Sequence, residues 1–302
     1  SYIPWGHFAA NMANDAVRYR ACDLDETDMA GIRRLYYQRA FVRMARALGL
    51  ERPGSGKGLD SGELEGVRTA ILEAVASGAE PEFDATLWGW NFGFGYAQSG
   101  HRLHASHQMV HQQNALIPAR IPSQSGQAVS TFACGDGVDR FIRDFKQAHG
   151  RDFFPLYESA IRHNTRTDGN TTGPSSLIVH EDEEVILFVP KAQVCEYELQ
   201  IMPRRSCPTV FHAETALRGS LDRAILMAVQ LLEGLGCTLV TGIEYSGRLM
   251  KGMGRQRLVY SFIPRLPYAP PTFSEAQNRW ITGLYPEDFA QACRNRLRQN
   301  RA

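Results

Sequence analysis

The sequence predicts an α+β fold made of two similar halves. The second half reads as strand, strand, helix, strand, strand, an order typical of a largely antiparallel sheet with a helix packed against it. The first half contains a weaker version of the same order, a long helix followed by two strands. A polar stretch over 164–176 separates them, so we place the boundary between residues 1–165 and 166–302.

The first half begins with a clear amphipathic helix. Apolar residues recur at helical spacing over 26–48, and Asp25 precedes them as a candidate N-cap. A segment rich in glycine, lysine and serine over 51–62 is predicted to be a surface loop. The remaining predicted elements of this half are a helix over 62–77, a strand over 87–96, a strand ending at 116–118, and helices over 137–148 and 153–164.

The second half has regular strand and helix patterns. The predicted strands cover 185–189, 195–202, 237–245 and 257–264, and the predicted helices cover 214–235 and 274–298. The helix and the two strands after it match the order of the first half, so we expect an internal duplication. In that duplication the chemical residues stay in the first copy only, because Leu258–Ser261, which corresponds to Val110–Gln113, contains no nucleophile.

Composition narrows the classes of protein to consider. The chain has 302 residues, 43% hydrophobic residues and a formal net charge of +1, so nothing favours a nucleic-acid partner or an anionic membrane surface. No apolar run approaches the roughly 20 residues that span a bilayer. We expect no signal peptide and a cytoplasmic protein with buried, reduced thiols. The six cysteines never form a C-x-x-C pair, which argues against structural zinc.

The most informative segment is Ser106–Gln113, where histidines and glutamines cluster. His101, His104, His107 and His111 fall within eleven residues. His111 and Gln113 are two positions apart, so on an extended strand they point to the same side. A neutral imidazole is a good nucleophile near neutral pH, and an amide can hydrogen-bond the group under attack. This pair suits the transfer of a phosphorus-centred group.

The same segment resembles a known motif. In the galactose-1-phosphate uridylyltransferase branch of the histidine-triad superfamily, a strand carries Ser-Asn-Pro-His-x-His-x-Gln followed by apolar residues and a proline. Ser106, His111 and Gln113 match this pattern, and Asn91 before a glycine loop matches an upstream strand of the family. The second half resembles the family along most of its length, including Tyr285–Ala290.

The resemblance implies a role for each matching position. His111 corresponds to the nucleophile and Gln113 to the residue that binds the phosphate in flight, while Ser106 and Asn91 correspond to phosphate ligands. Met109 stands where zinc-containing relatives have a metal ligand, which argues against that zinc site. The covalent step requires no cofactor, although Mg²⁺ can accompany the nucleotide. Further candidate substrate-binding residues are His107 and three arginines that flank predicted strand ends, Arg120, Arg204 and Arg265.

The predicted fold is therefore α+β with two tandem histidine-triad-like halves and one active histidine. The predicted activity is a nucleotidyltransferase that moves a nucleoside monophosphate from a nucleotide sugar or nucleoside polyphosphate, through His111, to a phosphorylated acceptor. A phosphorylase that uses inorganic phosphate is the alternative. A metal-dependent hydrolase built on His101, His107 and His111, a non-catalytic nucleotide-binding module, and purely structural histidines stay open. By analogy with relatives we expect a homodimer.

Overall fold

The computed structural model describes residues 21–50, 58–93, 111–250, 256–266 and 283–301. Its helices, after a 3₁₀ turn at Ala21–Asp23, are Glu26–Ala47 (α1), Ser61–Ala76 (α2), Cys134–His149 (α3), Phe153–Arg162 (α4), Thr215–Gly234 (α5) and Pro286–Arg301 (α6). None of them is long and apolar enough to cross a bilayer. Its strands are Phe83–Gly93 (β1), His111–Pro118 (β2), Arg120–Pro122 (β3), Ala128–Ser130 (β4), Ile178–Glu181 (β5), Val185–Phe188 (β6), Leu199–Pro203 (β7), Leu239–Tyr245 (β8) and Val259–Leu266 (β9).

In the described part of the chain, seven strands form one antiparallel sheet in the order β2-β1-β8-β9-β7-β6-β5, and β3 pairs with β4 in a separate hairpin. This confirms the predicted α+β fold with a large antiparallel sheet. The strands of the two predicted halves do not form separate sheets, because β1 pairs directly with β8. The helix–strand–strand order occurs in α1-β1-β2 and in α5-β8-β9. The proposed duplication and the division into 1–165 and 166–302 stay predictions.

Helices α1 and α5 pack on one face of the sheet, which we call the covered face, and α2 packs against α1. Helix α1 begins where the sequence predicted, since Asp25 accepts a hydrogen bond from the backbone N–H of Asp28 and Asp28 caps Asp25 in return. Asp60 and Glu63 make the same reciprocal cap on α2. The main core lies between these helices and the sheet, and its largest fully buried side chains include Trp90, Tyr36, Phe41, Phe211 and Phe262.

The opposite face of the sheet, which we call the open face, is only partly covered. Helices α3 and α4 pack over the β5-β6-β7 end in a second apolar cluster that contains Ile142, Phe154, Ile161, Ile186, Phe188 and Met202. Within the ranges given above, no helix covers the β2-β1 end of this face. The sheet therefore presents strands β1 and β2 toward a space bounded on one side by α3 and α4.

Several boundaries differ from the sequence predictions for physical reasons. Strand β1 begins at Phe83 because the polar residues Asp84 and Thr86 are buried and hydrogen-bonded to partners distant in sequence. Strand β7 begins only at Leu199, since Tyr197 has a φ of 63° and turns the chain. Strand β9 continues past Pro264 to Leu266, and an extra β9 residue between these two shifts the register against β8.

Other differences concern elements and thiols. Strand β5 and the β3-β4 hairpin were not predicted, because both are only three or four residues long. Helix α6 begins at Pro286, and the start of the predicted 274–298 helix lies outside the described residues. All six cysteines are free thiols, and four are buried as expected, but Cys22 is exposed and Cys134 is half-buried.

Candidate active site

Strand β2, which carries the His/Gln motif, lies at the end of the sheet and pairs with β1. His111 lies opposite Asn91, and Gln113 lies opposite Gly89. The side chain of Gln112 hydrogen-bonds to α1, on the covered face. Because successive residues of a strand point to opposite faces, positions 111 and 113 belong to the open face. The predicted parity of His111 and Gln113 agrees with this register.

Strand pairing aligns further residues with these two positions across the open face. The row that begins at Gln113 continues through Gly89, Ile243, Ser261 and Gln200. Three strand spacings separate Gln113 from Ser261, a distance of about 14 Å. Near the start of this row Gly89 has no side chain, and a Cβ built there would meet only one atom within 4 Å. Beside Gln113 this row therefore has little side-chain bulk, and we call the open-face surface around Gln113 and Gly89 the groove.

A second row, beginning at His111, continues through Asn91, Thr241 and Ile263. The Thr241 hydroxyl donates a hydrogen bond to Oδ1 of Asn91 at 2.9 Å. This bond orients the Asn91 amide, because Oδ1 faces Thr241 and the Nδ2 donor group faces away from it. The Nδ2 group has no partner among the described residues. Asn91 is thus oriented as a hydrogen-bond donor next to position 111.

Gln113 is exposed, and its amide has no hydrogen-bond partner in the part of the chain that the structure describes. An amide in this position can donate to a phosphate oxygen without placing another charge in the site. Both amides, of Gln113 and Asn91, therefore lie on the same face as position 111, and their donor groups have no partner among the described residues. This pair of donors is the arrangement that a phosphoryl group needs on its non-bridging oxygens.

The far end of the same face contains a buried polar cluster that the sequence did not predict. Oε1 of Glu198 accepts hydrogen bonds from the Ser261 hydroxyl at 2.6 Å and from Nε2 of Gln200 at 2.8 Å. Oε2 accepts a third bond from the backbone N–H of Val194 at 2.7 Å. Burial raises the pKa of Glu198, against the effect of these donors. The nearby Tyr157 hydroxyl, from α4, reaches Gln200 at 3.5 Å.

A close contact fixes the start of α3 against the loop after β8. A Cβ on Gly135 would lie 1.9 Å from the carbonyl oxygen of Ser246, so only glycine allows this approach. Arg248 joins the same region through ion pairs to Asp84 at 2.6 Å and Asp136 at 2.7 Å. Helix α3 is thereby tied both to the loop after β8 and to the start of β1, the strand that carries Asn91.

A network of charged and hydroxyl side chains lies on the covered face of the sheet, against β8 and β9. Oε1 of Glu244 accepts a hydrogen bond from the Tyr36 hydroxyl at 2.7 Å, and Oε2 accepts one from the Tyr260 hydroxyl at 2.6 Å. Burial raises the pKa of Glu244, although the nearby Arg33 opposes this. Glu244 and Arg33 are both fully buried. These residues support strands β8 and β9 from behind and do not reach the open face.

The remaining predicted site residues have different positions. Arg120 lies on β3 and donates to the carbonyl of Ala128, and Arg204 follows β7 and donates to the carbonyl of Asp182. The structure does not bring either guanidinium together with Gln113, and Arg265 lies in β9. Ser106 and His107 lie outside the described residues. The phosphate-binding roles of these five residues stay predictions.

Metal-binding side chains do not gather in the described part of the chain. No group of three or more His, Cys, Asp or Glu residues among the described residues could hold a metal ion. His101, His104 and His107, which the metal-hydrolase alternative needs, lie outside those residues. The structure therefore offers that alternative no support and does not test it.

Comparison with known proteins gives a match at the level of structure. No family model matches the chain, and no curated protein matches it in sequence. A uridylyltransferase mutant structure matches with a TM-score of 0.54 and 14% identity, over 80% of this chain and 73% of that one. A second uridylyltransferase structure matches with the same TM-score and identity, over 80% of this chain and 69% of that one.

An ADP-glucose phosphorylase from Arabidopsis thaliana, solved with bound ADP-glucose, matches with a TM-score of 0.56 and 16% identity, over 92% of this chain and 70% of that one. Identities this low establish a shared fold and leave the substrate open. The fold expected from the His/Gln motif is confirmed. The chain has the fold of the uridylyltransferase and ADP-glucose phosphorylase structures.

Proposed function

We propose that this protein is a nucleotidyltransferase that acts on nucleotide sugars through a covalent nucleotidyl-histidine at His111. A ring nitrogen of His111 attacks the α-phosphorus, a P–N bond forms, and the bond from that phosphorus to the bridging oxygen breaks. The sugar 1-phosphate leaves with the bridging oxygen. A phosphate oxygen of the acceptor then attacks the same phosphorus, and the P–N bond breaks to release the neutral imidazole.

The observation that supports this proposal most directly is the register between β1 and β2. It places His111 opposite Asn91 and two residues from Gln113, and both amides have free donors among the described residues. Two neutral donors beside an imidazole stabilise negative charge on non-bridging oxygens, and each such donor is typically worth about 100-fold in rate. A Cβ at Gly89 would meet only one atom within 4 Å, so the open face beside Gln113 leaves space for a bound group.

The fold supports a nucleotide sugar as the donor. Two of the matching structures are uridylyltransferases, and a third is a phosphorylase with ADP-glucose bound. A nucleotide sugar is the ligand bound to the phosphorylase, and its α-phosphorus is the atom that the proposed first step attacks. We therefore propose a nucleotide sugar as donor and a phosphorylated molecule as acceptor.

The phosphorylase structure favours one alternative acceptor, inorganic phosphate. The covalent step would be the same, and the second step would release a nucleoside diphosphate. Adding either inorganic phosphate or a sugar 1-phosphate to the preformed adduct distinguishes the two acceptors. The true acceptor removes the nucleotide from His111 at the higher rate. We also propose, by analogy alone, that the protein is cytoplasmic and forms a homodimer. Sedimentation of the purified protein tests the dimer.

Intact-mass spectrometry after incubation with single nucleotide sugars tests the covalent step. The panel contains UDP-glucose, UDP-galactose, ADP-glucose and GDP-mannose. We expect one nucleoside monophosphate to add to the wild-type chain, no addition with His111→Ala, and about 100-fold slower addition with Gln113→Ala. The matched control is His163→Ala, which removes an exposed histidine at the end of α4 and should leave labelling unchanged.

Each alternative predicts a different result in the same experiment. A metal-dependent hydrolase would lose activity with chelator and give no adduct. A binding module would bind a nucleotide sugar without turnover, and His111→Ala would leave its affinity intact. Labelling that survives in His111→Ala would contradict the proposal, as would turnover with no adduct in the wild-type chain.

A further inference from the structure

Gln112, between the two proposed active-site positions, joins β2 to the core by two hydrogen bonds. The Trp88 indole Nε1–H donates to Oε1 of Gln112 at 2.7 Å, and Nε2 of Gln112 donates to the backbone carbonyl of Ile32 in α1 at 3.0 Å. An indole N–H can only donate and a carbonyl can only accept, so these partners allow a single orientation of the amide. Both ends of the Gln112 side chain are therefore specified.

Both anchors are fixed by their own surroundings. Trp88 is 2% exposed and packs between the guanidinium of Arg33, whose Cζ lies 4.4 Å from the ring centre, and the ring of Tyr260 at 5.7 Å. Ile32 lies within the 22-residue helix α1. Both polar atoms of the Gln112 amide are therefore bonded to rigid groups, and these bonds restrain the backbone of β2 at residue 112.

Strand β2 needs such a restraint because it is a terminal strand. In the described part of the sheet, β2 pairs with β1 on one side only. Pairing alone leaves a terminal strand free to twist and shift. A twist at residue 112 moves positions 111 and 113 together, since they flank it on the other face.

We propose that Gln112 is a positioning residue, which holds His111 and Gln113 at the distance and angle that nucleotidyl transfer requires. This inference rests on the proposed function. Misplacement of a reacting group by about 1 Å can cost about 100-fold in rate. Loss of the Gln112 bonds should therefore slow formation of the adduct at saturating nucleotide, and leave nucleotide affinity nearly unchanged because Gln112 faces away from the groove.

The test is Gln112→Met, which keeps the length of the side chain and removes both hydrogen bonds. Single-turnover labelling with the nucleotide sugar that labels wild-type protein is measured over a range of concentrations. We expect the limiting rate to fall about 10- to 100-fold, with the half-saturating concentration within about threefold of wild type. Asn114→Met is the matched control, because Asn114 lies on the same face two positions along and lines an open groove beside Arg39 and Arg43.

Trp88→Phe removes the indole donor and provides a second, independent measurement. It should slow the limiting rate in the same direction, and the double variant with Gln112→Met should be no slower than Gln112→Met alone, because both changes break the same bond. If Gln112→Met fails to fold, by circular dichroism and thermal melting, Trp88→Phe alone decides the question. A wild-type limiting rate in Trp88→Phe would then overturn the proposal.

Two further results would overturn it, namely labelling of Gln112→Met at the wild-type limiting rate, and an equal loss in Asn114→Met. A slower rate accompanied by an equal loss of affinity would also overturn it, since that pattern marks a damaged groove. These failures differ from failure of the proposed function. In that case the wild-type chain forms no adduct with any nucleotide sugar, whatever residue occupies position 112.

Discussion

Replacing Arg33 by methionine probes the buried charge beneath the sheet. Arg33 is fully buried, and its Nε donates to Oδ1 of Asp222 at 3.0 Å. Its Nη2 donates to the hydroxyls of Tyr37 and Tyr260 at 3.0 and 3.1 Å. Four aromatic rings surround the guanidinium, the nearest being Trp88 with its centre 4.4 Å from Cζ. Methionine fills much of the same volume and removes only the charge and the donors.

The expected cost follows from the carboxylate that remains. Removing one partner of a buried ion pair typically costs about 3–5 kcal/mol, so we expect Arg33→Met to lower the free energy of unfolding by about 4 kcal/mol. Asp222→Asn should cost about 3 kcal/mol on the same reasoning. The double variant contains neither charge, so we expect about 4 kcal/mol rather than the sum, a coupling of about 3 kcal/mol.

The dependence on pH adds a second test of the same reasoning. Burial raises the pKa of Asp222 to about 6, although Arg33 and Tyr37 oppose this. Without Arg33 the pKa of the folded state rises further. A raised carboxyl pKa contributes stability at low pH that is lost as pH rises through the folded-state value. The extra cost of Arg33→Met should therefore grow as the pH rises above about 6.

Urea unfolding of the four proteins at several pH values, followed by circular dichroism, measures all of these quantities. Additive losses in the double variant would refute the claim that the Arg33–Asp222 pair is coupled. A cost of Arg33→Met that does not change with pH would show that the Asp222 carboxyl titrates normally, and the argument from burial would be wrong.

Two further predictions concern stability at other positions. Hydrogen bonds from Arg68 and Arg218 outweigh the effect of burial and lower the pKa of Glu65 to about 2, so its stabilisation is present above about pH 4.5 and disappears as pH falls through about 2. Glu65→Gln should cost about 1 kcal/mol at neutral pH, a value discounted for exposure, and urea titrations should show the gap closing in acid; a gap that persists at about pH 2 would contradict this. Gly135→Ala should cost about 2–3 kcal/mol by forcing α3 away from the loop after β8. Gly137→Ala is the matched control, because a Cβ there would meet nothing within 4 Å, and it should be neutral or slightly stabilising. Thermal melts measure both variants, and equal effects would contradict the contact at Gly135.

The elements that the sequence predicts best are those whose signals are local. Helix α1 was predicted within one residue because its cap and its apolar spacing lie in one continuous segment. The start of β1 was not, because Asp84 and Thr86 look like loop residues until their partners Arg248 and Glu244 are known. Those partners lie 164 and 158 residues away. Propensity and periodicity are local properties, and neither carries information over that distance.

The same limit divides the candidate site. The shared side of His111 and Gln113 was predictable, since alternation along a strand requires only a separation of two residues. Register was not predictable, so the alignment of Gln113 with Ser261 and the bond from Thr241 to Asn91 needed the structure. Arginines were weaker predictions for a related reason. A guanidinium near a predicted strand end can serve a ligand or a backbone carbonyl, and Arg120 and Arg204 bond to carbonyls.

Two adjacent glutamines show why residue type alone cannot assign roles here. Gln112 and Gln113 have the same side chain, yet one is bonded at both ends to Trp88 and Ile32, and the other is exposed with a free amide among the described residues. The pleat of the strand separates them, because consecutive residues face opposite sides. A terminal strand needs a restraint on its covered face to hold a reactive group accurately on its open face. Gln112 is well placed to provide that restraint, because it is adjacent to both His111 and Gln113 in the strand. A one-residue slip of β2 would place Gln113 on the covered face and Gln112 on the open face. The proposed chemistry therefore depends on the register of β2.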